Sequence, residues 1–160
     1  MSLSLDFLSP ALAKPAPRSP LARALAGSEI RDLSLDYGVL DARGDLAGHP
    51  MEGVEVVRLS PERSLVLCPY RDAPGLREWL ETRGVAAIDA SGGYAGLEVE
   101  GEAVMRRLTE LPLDGFPAVG AVGHVATLVL RDGDRFRLFF RQEYADYMGE
   151  RVLDALEGLA

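Results

Sequence analysis

The chain has 160 residues, of which 48 % are hydrophobic and 26 % charged, the proportions of an ordinary globular protein and a length that suits one domain. Its formal net charge of −8 argues against nucleic acid or an anionic membrane surface as a main partner, since both are held by clustered positive charge. No stretch approaches the ~18 continuous apolar residues of a membrane span, and the single cysteine, Cys68, excludes an intramolecular disulfide and fits a reducing, cytoplasmic setting.

Residues 1–18 hold Pro10, Pro15 and Pro17, with Pro20 just beyond, and read as a proline-rich tail ahead of a single domain over 19–160. The opening has no basic segment, and Asp6 and Pro10 interrupt its apolar residues, so a secretory signal is not expected. Ile30, Leu33, Leu35 and Val39-Leu40 suggest one or two short strands, followed by a charged turn over 41–45 and a loop over 46–52. The run 54–59 is strand-like, Ser60-Pro61-Glu62-Arg63 is a turn, and 64–68 is the returning strand of a hairpin. A helix follows from near Asp72, with Pro74 in its first turn, Leu76, Trp79 and Leu80 on one face, and Gly84 as its cap. Residues 85–90 read as a buried strand, Gly92-Gly93 as a turn or bulge, and 96–100 as a strand with one wet face. Gly101 opens a helix carrying Val104, Met105, Leu108 and Leu111 on one face, ended by Pro112. The segment 112–122 reads as a loop, 124–130 and 136–140 as strands joined by the Asp132-Gly133-Asp134 turn, and 143–158 as a last helix.

From residue 54 the order is therefore ββαββαββα. It predicts an α+β class fold: antiparallel sheets with helices on one face, in ferredoxin-like units that are each too small to stand alone and so share a core.

The chemistry-bearing residues are sparse. Two histidines, His49 and His124, and one cysteine do not supply a zinc ligand set. The only lysine, Lys14, lies in the expected tail, which removes most lysine-based catalysis. The glycine pairs at 93/96 and 120/123 lack the spacing of a phosphate loop, and Gly120-Gly123 reads as room for a close approach. Ser91, His124 and Asp89 or Asp114 could be written as a triad, but no G-x-S-x-G elbow accompanies them. His124 reads instead as a half-buried residue at a strand start, and Cys68 as a small core hydrophobe. Arg106-Arg107 reads as a solvated helix face or as a contact for an anionic partner. Tyr70, Tyr94 and Phe116 fall in loops or at strand ends, where rings cover a sheet edge, stack on a flat ligand or bury into a partner.

Several stretches, in order and spacing, resemble the gamma subunits of heterotetrameric sarcosine oxidases, within the folate-binding aminomethyltransferase-like superfamily. They are Ser19-Pro20-Leu21, Val39-Leu40-Asp41-Ala42-Arg43-Gly44-Asp45, Leu59-Ser60-Pro61-Glu62 with Leu65-Val66-Leu67, Ile88-Asp89-Ala90-Ser91, Leu97-Glu98-Val99-Glu100-Gly101 with Ala103, Leu113-Asp114, and Arg141-Gln142-Glu143-Tyr144-Ala145. Ser64 stands where that family has a tryptophan, Glu102 where proline is usual, and the serine cap of the last helix is lost.

The resemblance implies a chain that is not catalytic alone and binds no cofactor alone. It would be a structural subunit docked on larger alpha, beta and delta subunits that oxidatively demethylate sarcosine with flavin, NAD and tetrahydrofolate. It lacks the Gly-x-Ile-x-Asp-Asp hairpin of the aminomethyltransferases and the Lys-Gly-Cys-Tyr motif of their iron–sulfur-repair relatives. Candidate ligand or partner contacts are Arg43, Tyr70, Tyr94, Asp114, Phe116 and His124; no catalytic or metal residue is expected. The competing readings are a free-standing binder of a small molecule such as a reduced folate, and a homo-oligomer without catalytic activity.

Overall fold

In the computed structural model, residues 16–46 and 52–159 are described; most of the expected tail, and the loop expected over 46–52 apart from its ends, lie outside them. The strands are β1 (Arg31–Asp32), β2 (Tyr37–Arg43), β3 (Glu55–Ser60), β4 (Arg63–Pro69), β5 (Ala86–Asp89), β6 (Tyr94–Glu100), β7 (Ala118–Val122), β8 (Val125–Asp132) and β9 (Arg135–Arg141). The helices are α1 (Ala73–Glu81), α2 (Glu102–Leu108) and α3 (Ala145–Glu157), and single 3₁₀ turns precede α1, β6 and α3.

The strands form two sheets, both antiparallel throughout. One has the order β1-β6-β9-β8-β7 and the other β3-β4-β2-β5. Strand alternation assigns each face. On β9, Phe136, Leu138 and Phe140 pack with Val104, Met105, Met148 and Val152 of α2 and α3. Phe139, of opposite parity, packs with Leu128 and Leu130 against Val39, Val57, Leu65 and Leu67 of the second sheet. On that sheet Leu40, Val66 and Cys68 point the other way, into a cluster with Ala73 and Leu80 of α1. The layers are thus α1, four-stranded sheet, five-stranded sheet, then α2 with α3. Each sheet carries its helices on one face, and the helix-free faces meet in the middle. Burying side chains such as these stabilises the chain by roughly 1.5–3 kcal/mol apiece.

Local chemistry explains the element ends. Gly84 has φ +76°, and two bonds, Gly84 N–H to the Glu81 carbonyl and Val85 N–H to the Leu80 carbonyl, close α1 in a Schellman motif. Helix α2 stops at Leu108, so Leu111 lies beyond it rather than on its face. Thr109 is extended, its hydroxyl donates to the Ala121 carbonyl at 2.6 Å, and it accepts from Leu111 N–H at 3.1 Å.

Four expectations change. The proposed shared core is three apolar clusters, one under each helix layer and one between the sheets. Residues 41–43 extend β2 rather than turning. The segment read as a loop over 112–122 contains β7, where Gly120 admits the side chain of Leu111; a Cβ there would lie 2.4 Å from a Leu111 methyl. Strand β5 is an edge strand with only Ala87 buried, and Ile88 is 59 % exposed.

Candidate functional site

The two sheets part along one side and leave a groove of about 770 Å³ between them. Its floor is Arg137 of β9, on the strand face that otherwise carries Phe139. Arg137 reaches across to the second sheet, pairing with Glu55 of β3 and donating to the Tyr37 hydroxyl of β2 at 2.9 Å. Burial alone would lower the arginine's pKa, but the Glu55 carboxylate and the Tyr37 hydroxyl outweigh it and hold the group above its ordinary value. Arg137 is thus a charged tie between the layers, 16 % exposed. Its ring partner Tyr37 also meets Phe139 edge-on at 5.2 Å.

The rim is more apolar. Leu35 and Tyr70 are exposed, at 42 % and 45 %, beside Val54. The Tyr70 backbone N–H donates to the Asp36 carbonyl at 2.9 Å, which fixes the 3₁₀ turn that presents the ring. Arg31 pairs with Asp36 at 3.1 Å. The groove therefore offers an exposed ring and an aliphatic side chain above charges that already neutralise one another. That composition suits contact with another surface better than proton transfer.

The six candidate residues are spread over the molecule. Tyr70 lies in this groove. Arg43 ends β2 in an exposed notch beside Arg63, whose guanidinium holds Asp41 through bonds of 3.0 and 2.8 Å. Tyr94 begins β6 and packs into the inter-sheet cluster, with the Arg141 guanidinium 5.5 Å from its ring centre. Asp114 is exposed in the turn before the cis Phe116–Pro117 bond. Phe116 lies edge-on to Phe136 at 5.9 Å and joins the core beneath α2 and α3. His124 is exposed, not half-buried. It occupies the two-residue turn between β7 and β8, where Gly123 and His124 both have positive φ, +55° and +68°, as a type I′ hairpin requires.

The nucleophile candidates are committed elsewhere. The Ser91 hydroxyl donates to Asp89 Oδ1 at 2.6 Å and accepts from Val39 N–H at 3.0 Å, so it ties the crossover between sheets to β2. Cys68 is buried, and desolvation pushes its thiol up to about 11, away from the reactive thiolate. Among the described residues no three histidine, cysteine, aspartate or glutamate side chains group as a metal site, and no helix is long and apolar enough to cross a membrane.

Residue reasoning missed Tyr37, Glu55 and Arg137. Tyr37 and Arg137 are 100 positions apart and meet only once the two sheets stack. One signal was available: in Phe136-Arg137-Leu138-Phe139-Phe140, Arg137 shares a strand face with Phe139.

These features describe a two-sheet α+β protein with a contact groove at the side of the sheet sandwich. No protein-family model matches the sequence, and no curated protein matches it. The fold, however, has solved counterparts. A chain of the heterotetrameric sarcosine oxidase from Corynebacterium sp. U-96, solved with pyrrole 2-carboxylate, superposes with a TM-score of 0.73 at 18 % identity, covering 89 % of this chain and 95 % of that one. The regulatory subunit of aspartate kinase from Thermus thermophilus, ligand-free, superposes with a TM-score of 0.51 at 16 % identity, covering 80 % and 97 %. The α+β architecture is thus that of a sarcosine oxidase chain.

Proposed function

We propose that this protein is a noncatalytic structural subunit of a sarcosine-oxidase-type assembly, equivalent to its gamma subunit. The observation that carries the reading is the end-to-end likeness: 89 % of this chain against 95 % of that one makes the two nearly equal in length. The counterpart is therefore one small chain of the tetramer, not a segment of a large one. The ordered motifs from Ser19-Pro20-Leu21 to Arg141–Ala145 support the same assignment. The internal engagement of Ser91 and Cys68 supports a structural role.

On this reading the partners are the larger alpha, beta and delta subunits. They would hold flavin, NAD and tetrahydrofolate and carry out the oxidative demethylation in the cytoplasm. Leu35 and Tyr70, which leave apolar surface in water, are the contacts this chain offers them. In the native host, deleting this chain should lower the amount of assembled, flavin-loaded amine oxidase, and the wild-type chain should restore it. Unchanged assembly and sarcosine turnover in the deletion strain would contradict the proposal.

The groove volume of about 770 Å³ favours one second reading, a free-standing small-molecule binder, because such sites typically span ~300–1,000 Å³. Saturable binding of a reduced folate to the isolated chain would support that reading over the first.

A further inference from the structure

We propose that the cavity between the end of α2, the β7–β8 turn and α3 is a binding site for an organic phosphate. The cavity measures about 580 Å³. Arg106, Arg107, Arg151 and His124 line it, and Glu110 is the one acid among its lining residues. In a chain of net charge −8, this is a local excess of positive charge.

The guanidinium groups are incompletely matched by carboxylates. Arg106 shares Glu102 with Arg131. Arg107 donates to the Gly158 carbonyl at 3.2 Å, a neutral acceptor. The nearest approach of Arg151 to Asp154 is 3.8 Å, beyond hydrogen-bond reach, and the Arg151 side chain is 41 % exposed, so its guanidinium is open to a ligand.

The backbone adds an independent observation. His124 is the only non-glycine with positive φ among the described residues. The type I′ turn sets the His124 side chain at the cavity rim. Gly123 beside it packs the turn against α3, within ordinary contact of Met148 and Arg151.

The arrangement selects the ligand chemistry. A carboxylate offers two coplanar oxygens and suits one guanidinium fork. Here guanidinium groups come from two helices and an imidazole from a hairpin, which suits oxygens projecting in several directions, as on phosphate. Leu111 and Ala121 supply an apolar wall for an organic body. The inference is independent of the subunit reading, because the isolated full-length chain is the reagent that tests it.

The test is NMR titration of the full-length, ¹⁵N-labelled chain with inorganic phosphate and with phenyl phosphate, against chloride and citrate at equal ionic strength. Saturable shifts should appear at the Gly123 and His124 amides, with phenyl phosphate tighter than inorganic phosphate. Arg151→Met and Arg107→Ala should each weaken binding by about tenfold or more, the loss expected for one charge-assisted bond. Arg107 is exposed, so its variant gives the same reading should Arg151→Met not fold. Shifts that follow ionic strength alone, survive both variants, or appear equally with citrate would overturn the phosphate site. Phenyl phosphate binding no tighter than inorganic phosphate would overturn the organic ligand.

Discussion

Ser91 illustrates how a residue that looks catalytic on paper is spent on structure. Its hydroxyl supplies a side-chain acceptor for the buried Val39 N–H at the point where the chain leaves one sheet for the other. Ser91→Ala should therefore destabilise the fold by about 1–3 kcal/mol, read from chemical denaturation, since it orphans a buried donor. The Asp41–Arg63 pair makes a different kind of prediction. The Arg63 guanidinium holds the Asp41 carboxyl below its ordinary range. A lowered folded value means the contribution is fully present above the unfolded value, near pH 4, and is lost as pH falls through the folded one. Because Arg63 is 46 % exposed, the pair contributes on the order of 0.5–1 kcal/mol. Asp41→Asn should show that deficit at neutral pH, and the gap to wild type should close in denaturation curves taken below about pH 4. At this scale the sequence was informative about Cys68, whose apolar neighbours on a strand foretold its burial. It was misleading for His124, because a glycine–histidine I′ turn lacks the asparagine–glycine signature that would have announced it.

Among the elements, those with a strong local rule were legible. The β3–β4 hairpin is announced by Ser60-Pro61, and β3 pairs Ser60 with Arg63 around a two-residue turn. Helix α1 is bounded by Pro74 and Gly84, and α3 shows Met148 and Val152 four residues apart on its buried face. Strand β7 was not legible, because Ala118-Val119-Gly120-Ala121-Val122 is small and uncharged and its strand state is imposed by pairing with β8. Small residues here record tertiary contacts instead. Gly96 in β6 faces the inter-sheet cluster, where an added Cβ would lie 2.7 Å from the Phe139 ring and 3.3 Å from Leu33 Cβ. The ring is itself fixed by Tyr37. Gly96→Ala should cost about 1–3 kcal/mol through overpacking, seen as a lower urea midpoint at unchanged slope.

The whole molecule is defined by the meeting of two sheets, and that is what local patterns do not carry. Alternation along each strand identified an apolar face, but both faces of β4 and β8 are apolar, and only the stack shows that one is turned to a helix and the other to the second sheet. The groove follows from the same fact. Its members come from β1, β2, β3, β4, β9 and the turn before α1, so Tyr70 could be singled out as an unplaced ring while its neighbours Tyr37, Glu55 and Arg137 could not. The superposition on a sarcosine oxidase chain extends over nearly the whole of both chains, which makes the entire sandwich, and not one motif, the unit of likeness.

As proposed above, this sandwich serves as one small subunit of a larger flavin-containing assembly. The most direct measurement is affinity purification of the tagged full-length chain from its native host at gentle salt, followed by native mass spectrometry and flavin absorbance. The expected result is larger chains in fixed stoichiometry with this one, carrying a yellow flavin band. Recovery of the 160-residue chain alone, or only with further copies of itself, would contradict it.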